Sequence, residues 1–121
     1  MAPMVEKQRR SLAMREPTYF VLASLLDGPL HGYGIVQHAY RLSGQRVRLA
    51  AGTLYEALDR LTGSGDIAVD GEETVEGRVR RYYRLTDQGR HALHQEARRM
   101  EQAARIVTHR TGRAAPRPRP A

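Results

Sequence analysis

The chain has 121 residues, 40% of them hydrophobic, and no cysteine. This length fits one compact domain, and the lack of cysteine excludes disulfide frameworks, thiol catalysis and cysteine-ligated zinc. Twenty basic residues against 13 acidic ones give a net charge of +7, which is typical of a small protein that binds a polyanion, most simply nucleic acid.

No stretch approaches the roughly 18 apolar residues of a transmembrane helix, and residues 1–14 lack the apolar run of a secretory signal peptide. We therefore expect a cytoplasmic protein that makes no membrane contact. Nineteen of the 20 basic residues are arginine. Arginine binds phosphate and guanine through two nitrogens, but a GC-rich genome also replaces lysine by arginine, so the net charge is the stronger indication.

Both ends of the chain are polar and basic. Residues 1–15 predict a basic N-terminal arm, either frayed or a short helix that leads into the domain. Residues 112–121, GRAAPRPRPA, predict a disordered basic tail, because alternating proline and arginine cannot form a packed core.

Three helices are predicted in the first half of the chain. The first begins at Pro17, since proline suits the first helical turn; it continues through the nearly all-apolar residues 19–26 and ends at the Asp-Gly-Pro of 27–29. The second begins near His31, which caps or packs there, and the third ends at residues 63–65. Each of these two carries one apolar stripe at helical spacing. The stripes consist of Ile35, Ala39 and Leu42, and of Leu54, Leu58 and Leu61.

The hydrophobic period then changes to that of strands. Alternation at 67–69 predicts a short strand, residues 71–77 a polar loop, and residues 79–85 a second strand. Two strands joined by a loop form a hairpin. Thr86 follows as the N-cap of a last helix, whose first turn is acidic as the helix dipole favours.

The last predicted helix, from about residue 87 to about residue 110, has apolar and small residues spaced 4, 3, 4 and 3 apart. This spacing is typical of a narrow coiled-coil seam, and three helices of a small fold offer it little to pack on. We predict that the helix pairs with its copy in a homodimer. Packing of the seam on the first helix of the same chain is the alternative. The seam residues are Leu93, Ala97, Met100, Ala104 and Val107.

Three helices, a hairpin and a capped helix follow one another in the order of a winged helix-turn-helix. The predicted fold is mainly α with a small β-hairpin, with a winged helix-turn-helix DNA-binding domain over 16–86 and a long C-terminal dimerisation helix over 87–111. In such a fold the third helix enters the major groove, and the hairpin, or wing, contacts the adjacent minor groove or phosphates. Four arginines on the return strand face three glutamates on the outgoing side; a loop that neutralises its own charge is the alternative to a DNA-binding wing.

Candidate DNA contacts come from each part of this unit. Tyr33 opens the second helix, where a phenol and backbone N–H groups can hold a phosphate; its ring could instead pack on the first helix. Thr53 and Tyr55 start the third helix, the end that reaches bases, although a half-buried Tyr55 with its hydroxyl on a phosphate fits equally well. The other candidates are basic: Arg46 and Arg48 before the third helix, Arg60 on it, and Arg78 and Arg80 on the wing.

Enzyme signatures are missing from the sequence, which has no GxSxG, HExxH or Walker loop. His91 and His94 stand three residues apart on the last helix, but no suitable third metal ligand is near them, so solvated or interface histidines are the simpler interpretation. We expect neither catalysis, cofactor nor metal.

Three segments together resemble the signature stretches of the PadR family of bacterial transcriptional regulators. They are PLHGYGI at 29–35, AGTLYEALDRL at 51–61 and GRVRRYYRLTDQG at 77–89. The resemblance covers roughly residues 16–90, and the single last helix is similar to the short class of the family. It implies a homodimeric winged-helix repressor held together by its C-terminal helices. In many members a small molecule at or near the dimer interface releases the DNA.

Glu56 departs from the family pattern, which commonly has proline after the tyrosine of GTLY. A carboxylate there can accept a hydrogen bond from cytosine N4, or it can pair with Arg60 one turn later on the same helix. The operator of a relative therefore does not transfer to this chain.

The sequence thus favours a sequence-specific DNA-binding regulator that binds a pseudo-palindromic double-stranded operator as a homodimer, in the bacterial cytoplasm and associated with the nucleoid through DNA. Repression rests on the resemblance alone. The small residues Ala97 and Ala104 would leave room between paired helices for an apolar or aromatic effector. A non-specific nucleic-acid-binding protein and a winged-helix adaptor for protein partners are the alternatives.

Overall fold

The structure, a computed structural model, describes residues 14–111. The predicted tail at 112–121 lies outside the described residues, as does the predicted arm at 1–15 apart from its last two residues. Within the described range, four helices and one three-stranded antiparallel sheet confirm the expected fold class. In chain order the elements are α1 (Glu16–Ser24), β1 (Leu30–His31), α2 (Gly32–Leu42), α3 (Ala51–Ser64), β2 (Ile67–Val75), β3 (Arg78–Leu85) and α4 (Asp87–Thr111).

The first three helices form where the apolar pattern predicts them. Pro17 lies in the first turn of α1, and the predicted stripe of α3 is buried throughout. The prediction for α2 is wrong at one residue. Ile35 and Ala39 are fully buried, but Leu42 is 53% exposed, because it is the last residue of the helix and lies beyond the core.

The hairpin is longer than predicted, and its loop is shorter. Strand β2 continues to Val75, so the predicted polar loop at 71–77 is wrong for all but its last two residues. Glu76 and Gly77 alone form the turn, both with positive φ, 51° and 75°, which matches the tight turns that join twisted strands. The error has a physical reason: the residues of β2 beyond the irregularity between Val69 and Gly71 are almost all exposed, so they show no apolar alternation.

Strand β1 was not predicted, because two residues are too short to show a period. It pairs with β3 and places β3 at the centre of the sheet, with Leu30 opposite Tyr83 and His31 opposite Tyr82. The inner face of the sheet packs on the helices. The core that results draws on all four helices and on β2 and β3, with Val21, Leu22, Leu25, Ile35, Leu54, Leu58, Leu61, Ile67, Tyr83, Leu85 and Leu93 as its buried residues.

A polar junction connects the end of α3 to the start of α4. The Gly89 N–H donates to Thr86 Oγ1 at 3.0 Å, which confirms Thr86 as the N-cap. Thr86 Oγ1 in turn lies 2.6 Å from the Gly65 carbonyl oxygen, and Gln88 Nε2 donates to Asp66 Oδ1 at 2.9 Å. These bonds fix the direction in which α4 leaves the domain relative to α3.

Helix α4 is anchored only by its first part. Leu93 is buried in the core of its own chain, whereas every residue from 98 to 110 is exposed. The side chains of more than half of the helix are therefore open to solvent. No helix within residues 14–111 is long and apolar enough to cross a membrane.

Candidate nucleic-acid interface

The outer side of α3 is polar and open. Thr53, Tyr55 and Glu56 are exposed, while the leucine stripe faces the core. Glu56 makes no ion pair with Arg60; Arg60 Nη2 instead donates to Thr18 Oγ1 of α1 at 3.1 Å. The intrahelical pair considered for Glu56 is therefore absent. Arg60 is held on the side of α3 that faces α1, so a role on DNA would require it to leave Thr18.

Two tyrosines lie where the start of α2 meets the start of α3. Tyr33 is 68% exposed, so the alternative that packs its ring on the first helix is wrong. Tyr55 lies against Gly32, the first residue of α2: a Cβ at that glycine would come within 3.6 Å of Tyr55 Oη and 3.3 Å of Leu54 Cδ2. Glycine at 32 thus allows the two helices to approach closely, and two phenol side chains are exposed at this corner.

His31 caps α2 and also contacts the wing. Its Nδ1 accepts a hydrogen bond from the Gly34 N–H at 3.3 Å, which confirms the predicted role at the start of the helix. Its ring stands edge-on to Tyr82 of β3, with ring centroids 5.4 Å apart and planes at 85°. The contact with Tyr82 was not predicted. His31 and Tyr82 each lie in one of the sequence motifs that resemble the PadR family. Only the pairing of β1 with β3 brings the two motifs together.

The wing arginines divide into paired and unpaired ones. Arg81 Nε lies 3.1 Å from Glu72 Oε2, and Arg84 Nε lies 3.5 Å from Asp70 Oδ1. The hydrogen bond to Glu72 raises the pKa of Arg81 above its ordinary value, so that guanidinium stays charged but is neutralised locally. The alternative of a self-neutralising wing thus holds for these two arginines.

Arg78 and Arg80 differ from them. Neither forms an ion pair with any residue in the range 14–111. Glu73 lies directly opposite Arg80 in the register, yet its carboxylate accepts from the Tyr82 hydroxyl at 3.3 Å. Because side chains alternate along a strand, Arg78, Arg80 and Tyr82 share one face of the wing, and Arg81 lies on the other.

The two arginines before α3 are tethered to neighbouring helices. Arg46 Nη2 lies 2.8 Å from Glu16 Oε2 of α1, and the guanidinium of Arg48 lies 5.5 Å from the ring centre of Tyr40. Both arginines are at the surface, where an ion pair contributes less than about 1 kcal/mol and a cation–π contact about 0.5–1 kcal/mol. A phosphate could therefore replace either partner at little cost.

The predicted dimer seam is only partly available to a second chain. Leu93 is 3% exposed within its own chain, so the prediction that placed it in the interface is wrong; its side chain completes the core instead. Met100 and Val107 are 37% and 59% exposed, and Ala104 is exposed as well. Ile106, which was not predicted because it lies off the 4-3 spacing, adds a further exposed apolar side chain.

A groove of about 1120 Å³ lies between α1, α3 and the part of α4 from Gln88 to Gln102. Glu96 lies at its wall as a buried carboxylate. The hydrogen bonds from Arg99, one of them 3.0 Å from Nε to Oε1, lower the pKa of Glu96, and the Met14 backbone N–H adds to this effect. Neither Ala97 nor Ala104 lines the groove. Within residues 14–111, no three histidine or acidic side chains come together as a metal site.

The model of the transcriptional regulator PadR-like family matches residues 21–95. The transcriptional regulator Rv3488 of Mycobacterium tuberculosis is 39% identical over 87 residues, which is 72% of this chain and 78% of the relative. The chain belongs to the PadR-like family of transcriptional regulators. This confirms the resemblance of the three sequence motifs.

Solved PadR-like structures share the fold. A PadR-like transcription factor from Bacteroides fragilis matches with a TM-score of 0.66 at 27% identity, over 87% of this chain and 96% of that one. Bacillus subtilis PadR in complex with operator DNA matches with a TM-score of 0.59 at 25% identity. The match covers 88% of this chain and 52% of that PadR chain. The helices and the hairpin of this chain thus form the winged-helix fold of PadR-like regulators.

Proposed function

We propose that this PadR-family regulator binds a pseudo-palindromic operator as a homodimer and represses transcription. Residues 16–86 form the DNA-binding domain, with α3 in the major groove and the β2–β3 hairpin as the wing. Residues 87–111 form the dimerisation helix. The observation that carries the proposal is the distribution of charge on the wing: within residues 14–111, Arg78 and Arg80 form no ion pair, whereas Arg81 and Arg84 are neutralised.

The wing face with Arg78 and Arg80 suits the DNA backbone. Unpaired guanidinium groups bind phosphate through two nitrogens or enter a narrow minor groove. For Arg81 and Arg84 a neighbouring carboxylate already offsets the charge, so they attract a phosphate less strongly. The wing thus offers two strong positions for DNA beside a neutral opposite face.

The corner between α2 and α3 suits a second backbone contact. The first N–H groups of a helix attract a phosphate. Tyr33 stands in the first turn of α2 and Tyr55 Oη lies close to Gly32, the first residue of that helix, and both tyrosines are exposed. Thr53 and Glu56, at the start of α3, are then the side chains in position to read base edges. Phosphate contacts by the tyrosines and the wing would set the register of α3 on the bases.

The C-terminal half of α4 supports the homodimer. An isolated helical segment of this length is only marginally stable in water, and residues 98–110 are all exposed. Pairing of Met100, Ala104 and Val107 with a second copy would bury their side chains. A two-fold dimer presents two copies of α3, which is why the proposed operator is pseudo-palindromic.

The family resemblance supports repression of transcription and release of the DNA when an effector binds. The small side chains of Ala97 and Ala104 lie on the proposed seam, so an apolar or aromatic molecule between paired helices would change the spacing of the two α3 helices. A regulator of this kind acts in the cytoplasm, on the nucleoid.

Selection of bound duplexes from a random pool, followed by competition against bulk DNA, tests the proposal. We expect the selected sequence to be an inverted repeat that binds about 10³-fold more tightly than bulk DNA. Equal affinity for both would identify a non-specific nucleic-acid-binding protein. Failure to bind any DNA at moderate salt would leave the winged-helix adaptor as the explanation.

A further inference from the structure

The imidazole of His31 contacts both the start of α2 and the wing, the two parts of the domain that we propose to bind DNA phosphates. His31 Nδ1 accepts from the Gly34 N–H and so caps α2, the helix that begins beside Tyr33. The same ring stands edge-on to Tyr82 of β3.

Tyr82 connects this ring to the part of the wing that lacks other support. Its hydroxyl donates to Glu73 of β2 at 3.3 Å, so the tyrosine is linked to both strands. On β3 the residues from Arg78 to Arg81, which lie closer to the turn, are all exposed. The contact of His31 with Tyr82 therefore lies where the wing leaves the body of the domain.

The protein backbone alone gives the wing little support at Tyr82. Strand β1 has only two residues, and it ends at His31, opposite Tyr82. Small rotations of the hairpin about this end would move Arg78 and Arg80 by a large distance, because they lie further out. A side-chain contact at position 82 limits such rotations.

We propose that His31 is a positioning residue for DNA binding. Its imidazole holds the wing against the N-terminus of α2, so that Arg80 and Tyr33 reach the backbone of one duplex together. This inference rests on the proposed function. It assigns to His31 no DNA contact of its own; the residue acts through Tyr82.

The two tasks of the imidazole can be separated by substitution. His31→Asn keeps an N-cap acceptor, since asparagine is among the best N-cap residues, but removes the ring. His31→Phe keeps a ring for Tyr82 but removes the acceptor. The first variant isolates the wing contact and the second isolates the cap.

The test is the binding of each full-length variant to the selected operator and to random DNA across a salt series, with thermal unfolding measured in parallel. We expect His31→Asn to weaken binding to both DNAs about tenfold and to lower the salt slope by roughly 1, the signature of one lost phosphate contact, at a nearly unchanged melting temperature. His31→Phe should keep the salt slope and lower the melting temperature by about 5 °C. Tyr82→Phe, which keeps the ring contact, is the matched control and should keep the slope.

Coupling distinguishes positioning from direct contact. If His31 acts through Tyr82, then His31→Asn and Tyr82→Ala lower the affinity by similar factors, and the double variant loses no more than either one. Additive losses would show that His31 contacts DNA itself and would overturn the proposal. A normal slope in Tyr82→Ala would overturn it as well, even if His31→Asn failed to fold. If Arg80→Ala also kept the wild-type slope, the wing assignment in the proposed function would be the part that fails.

Discussion

The Cα of Gly89 lies so close to the backbone of Asp66 that a methyl group at position 89 would overlap the Asp66 carbonyl oxygen and come within 2.8 Å of its carbon. A glycine inside a helix ordinarily weakens it by about 1 kcal/mol relative to alanine. At this position the absence of a side chain instead allows α4 to start directly against the end of the α3–β2 connection.

Gly89→Ala is therefore expected to destabilise the fold. Either α4 or the chain at Asp66 must move, and overpacking of this kind costs up to about 3 kcal/mol. Urea unfolding followed by circular dichroism measures the loss. Gly63→Ala is the matched control, since Gly63 is helical with no atom within 4 Å of the added Cβ, and it should stabilise by about 1 kcal/mol. Equal midpoints for the two variants would contradict the close contact.

The sequence predicts those parts of the molecule that local pattern determines. The leucine stripe of α3 and the Thr86 cap follow from spacing and from one hydroxyl, and both are found. The extent of β2 does not follow, because an exposed two-stranded ribbon needs no apolar alternation. Leu93 satisfies the 4-3 spacing and the core equally well, so spacing alone cannot decide which of the two buries it.

In the candidate site, too, the sequence predicts some features and not others. The motif residues Tyr33 and Arg80 could be named from the sequence because their types suit phosphate. The sequence does not predict whether an arginine forms an ion pair, because the ion pairs of Arg46 and Arg81 depend on which residues the fold brings opposite them. The contact between His31 and Tyr82 joins residues 51 positions apart in the chain, and no local signal indicates it.

Acid sensitivity is expected at Glu96. Its pKa is lowered in the folded protein by the hydrogen bonds from Arg99, so the carboxylate stabilises the fold above its ordinary pKa of 4.5. This stabilisation is lost as the pH falls below about 4.5 and through the lowered value. Unfolding midpoints measured from pH 6 to pH 3 should drop more steeply for the wild type than for Glu96→Gln. Parallel pH profiles would show that the ion pair does not contribute.

The unpaired wing arginine has a testable role on DNA. Arg80→Ala should weaken binding to the operator and to random DNA by similar factors and lower the salt slope by roughly 1. Fluorescence anisotropy with a labelled duplex across a salt series gives both quantities. The double variant Glu72→Gln and Arg81→Gln removes a neutral pair from the other face of the wing and should keep the wild-type slope. If the double variant lost the slope and Arg80→Ala kept it, the assignment of faces would be reversed.

We expect the carboxylate of Glu56 to lower the affinity for DNA in general and to raise the discrimination between base pairs. Its exposed carboxylate has no ion-pair partner within residues 14–111 and repels phosphate. Glu56→Gln is therefore expected to bind random DNA several-fold more tightly while discriminating less at one base pair, at a cost of about 1–3 kcal/mol if the carboxylate accepts from cytosine N4. Competition with operators mutated one base pair at a time measures this. Unchanged base preference would place Glu56 away from the bases.

The homodimer rests on the exposed part of α4, and Met100 is the residue to change. Met100→Glu would place two carboxylates against each other in an apolar interface, where unpaired charge costs several kcal/mol. We expect the variant to sediment as a monomer and to lose operator binding, while its circular dichroism stays that of a folded domain, because residue 100 lies outside the core of its own chain. Gln102→Glu adds the same charge two residues later, off the seam, and should remain dimeric. If Met100→Glu sedimented as an intact dimer, the interface would lie elsewhere than on α4, and the two-fold argument for the operator would need another pair of surfaces.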